Sequence, residues 1–487
     1  MTDQASVPRT IVTTDPEIDD ANSLVRLVLY ANEIEIQGLV YASSQFHWRG
    51  DGRGTPFFHA DREYAEPQTS WRWGPDDTFI HEGIDRYAEV ELNLRAHDPR
   101  YPTAEHLRSL IRVGNVDFEG DDRTASAGAD LIVEKILDDD PRPLFVQLWA
   151  GPATLSRALR SLEEMFGSAP DWPEVRERLS RRVIVTKFAS QDDTYEDYIA
   201  PTWPAIEVRE VATRMWGYAA RSVATAEGAS FLSSDWHEEN VLSRGPLGAH
   251  YRVWGDGRTM PGDHNDYFGS RRSDEELRAA GYHVFIPVQE PGSWVSEGDT
   301  TNFLNLIGNG LRAHEAPHWG GWGGRQKRNP DRENEHLAAL ALDRDDAGEA
   351  SAPYAAARWF PDAQRDFAAR LLWSTTPDFA AANHAPEIRL VSPRTVSATA
   401  GATIELDAVV TDPDGDAVRV LWREDADAGD GESSGTFGDP SSARTAFHLS
   451  RELEPGREVH LILEARDVRN DGQPSLVRYA RVVVTVS

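Results

Sequence analysis

The strongest chemical signal in the sequence is the run Asp15-Pro16-Glu17-Ile18-Asp19-Asp20. Asp15, Asp19 and Asp20 packed into one turn repel each other unless a cation sits among them. Hard divalent cations take carboxylate and carbonyl oxygens, and Ca2+ suits such a set. A second reading stays open, in which Asp19 and Asp20 cap the following helix and favour its dipole. The choice depends on the elements that hold these residues.

Thr10-Ile-Val-Thr-Thr14 is a β-rich run that ends at the turn signal Asp15-Pro16. Ala21, Leu24, Val25, Val28 and Leu29 then recur at helical spacing. Ile34 to Ala42 reads as a second strand. This β–loop–α–β unit is the mark of a parallel sheet with helices on its faces. The pattern returns with a strand at Pro143–Trp149, a turn at Gly151-Pro152, a helix over Thr154–Phe166 and strands at Val183–Thr186 and His283–Val288. Carboxylates at the C-terminal end of a strand lie where open α/β sheets bind ligands. Residues 45–85 and 232–275 read as long Trp-, Gly- and Asp-rich loops, which in compact domains are usually functional.

From about Pro386 helical periodicity gives way to alternating β-branched runs. They lie at Thr403–Val410, Val418–Trp422, Val459–Ala465 and Tyr479–Val486, between turn clusters such as Asn470-Asp-Gly472. This spacing predicts an immunoglobulin-like sandwich. The expected organisation is an α/β domain over residues 1–345, a helical connector over 346–385 and an all-β sandwich over 386–487. Asp412-Pro-Asp-Gly-Asp416 reads as a hairpin turn, since it lacks the downstream bidentate Glu of a calcium loop.

Composition narrows the function classes. The 487 residues carry 81 acidic and 50 basic side chains, a formal charge of −31, and no cysteine. Such a surface repels phosphate backbones, so nucleic acid is not an expected partner. Without thiolates, a hard, oxygen-bound metal is the expected kind. No apolar run is long enough for a bilayer, so no membrane partner is expected. The Met1-Thr-Asp-Gln4 start lacks the pattern of a secretory signal. The expectation is a cytoplasmic protein if the chain is complete, and a secreted one if a signal was trimmed.

Ile11-Val-Thr-Thr-Asp-Pro-Glu-Ile-Asp-Asp-Ala21 resembles the N-terminal signature of the nucleoside hydrolases, the inosine–uridine-preferring superfamily. The chain is more closely similar to the cellulose-binding branch, with a nucleoside-hydrolase-like domain followed by an immunoglobulin-like one. Asn93-Leu-Arg-Ala-His-Asp-Pro-Arg-Tyr-Pro102, Glu297-Gly-Asp-Thr-Thr-Asn-Phe-Leu304, Trp319-Gly-Gly-Trp-Gly-Gly-Arg325, Asp366-Phe-Ala-Ala-Arg-Leu-Leu-Trp373 and Ala382-Asn-His-Ala-Pro386 belong to the same pattern.

The resemblance implies a Ca2+ cofactor held by Asp15, Asp20, Asp299 and the Ala150 carbonyl. Asp15 is also implied as the general base that deprotonates the attacking water. Asp19 would bond a sugar hydroxyl. Gln45 falls where the family places an asparagine on the sugar, and Gln191, Asp192 and Asp193 follow the strand Val183–Thr186 where it places other sugar-binding groups.

Three positions depart from the family pattern. Its opening Asp-x-Asp reads Thr13-Thr14-Asp15, its glycine after proline is Glu17, and its histidine before the last aspartate is Gly298, preceded by Glu297. Glu17 or Glu297 is therefore the expected acid for the leaving group, and an O-glycoside is as reasonable a substrate as a purine nucleoside.

Of the loop-like histidines His47, His81, His97 and His318, His47 has the best claim to the pocket. Trp48, Trp71, Trp73, Trp319 and Trp322 are candidates for stacking on sugar faces, or else for anchoring these loops to the core, the reading expected for most of the five. The expected activity is Ca2+-dependent hydrolysis of the N- or O-glycosidic bond of a furanose-type sugar. The alternative is a carbohydrate-binding protein on a hydrolase fold with little or no catalysis. Carbohydrate or nucleoside is the expected ligand. The sandwich is expected to be a structural module or a dimerising one, the latter giving a homodimer, ahead of the alternative that it is itself the carbohydrate-binding module.

Overall fold

Short β-branched runs buried on both faces make a parallel sheet, because crossover helices cover each side. The computed structural model describes residues 7–429, 431–469, 473 and 475–487. The expected Asn470–Gly472 turn and the Met1–Gln4 start lie outside them. In chain order the first domain runs β1 (Arg9–Thr14), α1 (Ile18–Leu29), β2 (Glu35–Tyr41), α2 (Phe79–His97), α3 (Ala104–Ser109), β3 (Ile111–Val113), α4 (Ala127–Leu137), β4 (Leu144–Leu148), α5 (Ala153–Phe166), α6 (Trp172–Ser180), β5 (Val183–Lys187), β6 (Glu207–Glu210), β7 (Lys327–Arg328) and β8 (Glu335–Leu337). The strand order is β3-β2-β1-β4-β5-β6-β8-β7. All pairings are parallel except β7 with β8.

Alternation along β1 feeds two cores. Ile11 joins the apolar cluster built on α4 and α5, while Val12 joins the one built on α1 and α2. Every residue of α1 is buried. Leu24, Val25 and Val28 are each no more than 2% exposed, and full burial stabilises such side chains by about 1.5–3 kcal/mol each.

The second domain consists of two four-stranded sheets, β11-β13-β16-β15 and β12-β18-β17-β14. Its strands are β11 (Glu387–Leu390), β12 (Thr395–Ala398), β13 (Thr403–Thr411), β14 (Val418–Glu424), β15 (Gly435–Phe437), β16 (Arg444–Leu449), β17 (Glu458–Asp467) and β18 (Val477–Val486). A small ribbon, β9 (Asp343–Arg344) with β10 (Ala350–Ser351), precedes them. Inward-facing Leu406, Trp422, Phe447, Leu461 and Val482 form the core between the sheets.

Two helices, Tyr354–Ala357 and Phe360–Thr375, lie between the two sets of sheets. The second helix straps the domains together. Asp362 takes a bidentate pair from Arg466 at 2.8 and 2.9 Å, and Asp366 takes Arg478 at 2.6 Å.

Four local expectations are corrected. His283–Val288 is not a strand. Side chains satisfy its backbone, with Asn265 bonding His283 N–H, Tyr267 bonding Ile286 and Asp274 bonding Val288 N–H. The loop expected over 45–85 ends where α2 begins, so His81 and His97 are helical. His81 bonds the Tyr41 hydroxyl and His97 bonds His384 and the Thr376 carbonyl. The 232–275 segment contains short helical turns at Ser234–His237, Glu238–Leu242 and Gly245–His250. Asp412–Asp416 is no hairpin, because β13 and β14 lie in different sheets. No helix of the described residues is long and apolar enough to cross a membrane.

Candidate functional site

β1 lies between β2 and β4, at the point where the strand order reverses. Ligands of open α/β sheets bind in the crevice beyond the carboxyl ends at such a point. Asp15 follows β1 directly and Ala150 stands just beyond β4. The Trp149 and Ala150 N–H groups donate to the Thr13 carbonyl at 2.9 and 3.2 Å, which fixes this turn beside Asp15. Gly151 is required by close packing, since a Cβ there would lie 2.4 Å from Asp192 Oδ2 and 2.7 Å from the Ser43 carbonyl.

The first turn of α1 supplies the rest of the cluster. Glu17 occupies the N-cap position without a side-chain cap bond, and Asp19 and Asp20 lie inside the helix. They are therefore not its caps. Asp20 Oδ1 accepts the Thr14 hydroxyl and the Asp15 N–H, the latter at 3.2 Å. Asp19 Oδ2 accepts the Ser296 hydroxyl at 3.0 Å. A Cβ on Gly298 would lie 2.7 Å from that same oxygen. Glycine at the family's histidine position thus makes room for Asp19. Asp299 reaches the cluster from late in the first domain, in the short helical turn Gly298–Thr300 that packs on α1.

Ligand atoms of Glu17, Asp19 and Asp20 lie within 4.8 Å of one another, as do those of Asp15, Glu17 and His47. Burial, reinforced by the neighbouring carboxylates, pushes Asp20 and Asp299 well above the usual carboxylate range and Glu17 up to about 8. Asp19 also rises, because burial outweighs its bonds to Ser296 and the backbone. Burial works against a charge on His47, but Asp15 and Asp263 outweigh it and raise the imidazole to about 10.

Both oxygens of Asp15 are buried and accept no hydrogen bond, although His47 Nδ1 stands 3.5 Å away. A buried charge in this state is costly unless an ion pairs with it. Carboxylate oxygens of Asp15, Glu17, Asp19 and Asp20 at this density fit a hard cation such as Ca2+.

His47 is held from both sides, with its Nε2 3.6 Å from Asp263 Oδ2. Arg72 grips Asp263 bidentately at 2.8 and 3.0 Å. This latches the loop after β2 to the loop around residue 263. The Tyr218 hydroxyl lies 3.0 Å from Glu17 Oε1 and 3.4 Å from Asp19 Oδ1. Its ring stacks on Phe268 at 5.0 Å. Tyr218, Arg72 and Asp263 carry no signal in the sequence, since each sits in an aperiodic loop with no local motif. At the rim, Gln45 N–H bonds the Gln191 carbonyl at 2.6 Å. Gln191 Nε2 bonds the Trp149 carbonyl at 2.7 Å, leaving its Oε1 buried and unpartnered.

Several expected residues are committed elsewhere. Glu297 is fully buried and bound to Arg26 at 2.5 and 2.8 Å and to Tyr251 at 2.6 Å, so it has no free face for a leaving group. Asp192 caps α5 through Ala153 N–H and bonds Thr194 with its other oxygen. Asp193 instead pairs outward with His59 and Arg62. Trp48 is fully buried against Phe57, Tyr64 and Phe118. Trp71 pairs in an isolated bridge with Trp48, and Trp73 is a core residue. Trp322 is wholly buried and Trp319 packs on His460 and Arg312 at the domain boundary, so neither presents a sugar platform. His318 pairs with Glu458 of the sandwich.

Residues 9–326 match the family described as cellulose-binding Sde182, nucleoside hydrolase-like domain. Residues 403–486 match the C-terminal domain of cellulose-binding protein Sde0182. The fold is shared with a nucleoside hydrolase-related protein from Saccharophagus degradans, reported as associated with carbohydrate metabolism. That likeness has a TM-score of 0.71 at 22% identity and covers 99% of this chain and 100% of that one. The fibronectin(III)-like modules of Clostridium thermocellum CbhA align at 20% identity over 21% of this chain and 47% of that one, with a TM-score of 0.15 that carries no argument. No curated protein matches the chain.

Proposed function

The chain belongs to the cellulose-binding Sde182 family with a nucleoside hydrolase-like domain, and from that premise we propose a Ca2+-dependent glycoside hydrolase acting on the N- or O-glycosidic bond of a furanose-type sugar. Asp15 carries the reading, as a wholly buried carboxylate whose oxygens accept no hydrogen bond, beside Glu17, Asp19 and Asp20. Strongly perturbed groups clustered in a crevice are a mark of functional sites. Asp15, Asp20, Asp299 and the Ala150 carbonyl would hold the ion. Bound Ca2+ supplies an acidified water and an anchor for sugar hydroxyls.

Asp15 then acts as general base toward the attacking water. Asp19, braced by Ser296, accepts a sugar hydroxyl, with Gln45 and the free Gln191 Oε1 at the rim. Glu17 takes over the role expected of Glu297. It reaches about 8 through burial and the neighbouring Asp19, so it holds a proton at neutral pH for the leaving group. The remaining negative charge favours an oxocarbenium-like transition state. In this reading residues 1–345 are the catalytic unit and 386–487 an accessory sandwich.

A panel of nitrophenyl furanosides and nucleosides, with and without chelator, tests the proposal. Chelator-sensitive turnover of at least one substrate is expected, and none on either class overturns it.

One observation favours the second reading, a carbohydrate-binding protein without catalysis. Asp15, Asp20 and Asp299 are no more than 6% exposed, so a sugar reaches them only if the covering loops open. Retention on insoluble cellulose without turnover would select that reading.

A further inference from the structure

We propose that Glu297, Arg26 and Gln364 form a positioning chain through which the sandwich domain sets the geometry of Asp299. The inference rests on the metal-site reading above.

The chain can be followed atom by atom. In the sandwich, Arg466 and the Tyr479 hydroxyl converge on Asp362, the hydroxyl at 2.9 Å. Asp362 lies near the start of the Phe360–Thr375 helix. One turn further on, Asp366 receives Arg478 from the sandwich at 2.6 Å and the Tyr30 hydroxyl of the first domain at 2.9 Å. Between these two anchors Gln364 Oε1 accepts Arg26 Nη2 at 2.6 Å. The Arg26 guanidinium also lies 3.8 Å from the ring centre of Phe367 on the same helix.

Arg26 projects from α1, whose first turn carries Asp19 and Asp20. It holds Glu297 bidentately, and Glu297 Oε2 accepts the Thr300 hydroxyl at 2.9 Å. The Glu297 carbonyl accepts the Thr300 N–H at 3.1 Å. Asp299 sits inside this closed turn, two residues from Glu297. Arg26, Glu297, Thr300 and Gln364 are all no more than 1% exposed.

A buried ion pair contributes little net stability against an apolar replacement. Its geometry, however, is fixed, and fixed outer partners set how well a metal ligand is aimed. An apolar pair would close the same space without dictating where the Gly298–Asp299 turn sits. The contacts therefore connect the sandwich to one metal ligand by side chains that never touch the ion.

The test is calcium affinity of the full chain by titration calorimetry, independent of turnover. Glu297→Gln keeps the volume and one acceptor but loses the charge. About a 10–100-fold loss of affinity is expected, the range for outer partners of metal ligands. Gln364→Met, which removes only the amide, is the second variant should Glu297→Gln not fold, and several-fold loss is expected. Arg466→Ala, in the sandwich, should also weaken binding. Arg358→Ala loosens the boundary elsewhere, at Asp343, and should leave affinity unchanged.

Unchanged affinity in Glu297→Gln and Gln364→Met overturns the chain while leaving the metal site. Equal losses in Arg358→Ala and Arg466→Ala also overturn it, since general loosening would then suffice. No calcium binding by the unaltered protein overturns the metal reading and this inference together.

Discussion

His47 Nδ1 stands 3.5 Å from Asp15 Oδ2 with both side chains wholly buried, and no hydrogen bond closes the gap. The imidazole is held there by Asp263, itself clamped by Arg72. A protonated ring partly offsets the carboxylates but cannot coordinate between them. This half-compensated cluster is the source of the first two predictions.

Asp15→Ala should abolish turnover and leave the fold intact. It removes a like charge beside Glu17 and Asp20 but also a carboxylate facing the His47 imidazole, so the two effects oppose and the metal-free stability should change by about 1 kcal/mol or less. Calcium should no longer stabilise the variant. Thermal unfolding with and without calcium reads both effects, and a calcium shift as large as that of the unaltered chain would rule out Asp15 as a ligand.

The pH dependence has a definite sign. Glu17, Asp20 and Asp299 are raised in the folded chain. Such groups contribute stability that is present below their unfolded values, near 4, and lost as pH rises through the folded ones. With chelator present, the Glu17 contribution should fall between about pH 4.5 and 8. Calcium competes with the bound protons, so its stabilising effect should grow over the same window. Glu17→Gln should flatten the slope near pH 8; an unchanged slope assigns it to other groups.

Gly298→Ala should displace Asp19, because the added Cβ would lie 2.7 Å from its Oδ2. The expected result is a raised KM with calcium affinity nearly retained, since Asp19 is assigned to the sugar and not to the ion. Substrate kinetics together with calcium titration separate the two. A loss confined to calcium binding would move Asp19 into the metal set.

Asp362→Ala should remove the acceptor shared by Arg466, which keeps Glu464, and the Tyr479 hydroxyl at the domain boundary. The Arg466–Asp362 pair is part-exposed, with side chains 27% and 14% accessible, so the loss should be about 1–3 kcal/mol. Urea unfolding should show that loss, and the isolated sandwich should be less stable than it is in the full chain. A change under 1 kcal/mol would mean water already serves these groups.

The sequence by itself determined the chemistry of the first thirty residues. A β-branched run, a proline turn and a 3.6-residue apolar period are local signals, and together they put Asp15, Asp19 and Asp20 on one strand–helix junction. The change to period-two alternation near Pro386 likewise announced the sandwich. The short polar strand Glu207-Val-Arg-Glu210 is silent in the sequence because it lacks the composition of a strand.

Only the tertiary structure decided what faces the cluster. Glu297 and Glu17 are both acids near the motif, and nothing local separates them. Arg26, 271 residues away from Glu297, claims one, and Tyr218 reaches the other across 201 residues. The tryptophan-rich loops gave no periodic signal, so which rings were core and which were rim depended on long-range packing. Burial and pairing are properties of the assembled chain, and they set Glu17 against Tyr218, left the Asp15 oxygens without a hydrogen bond and bound Glu297 to Arg26.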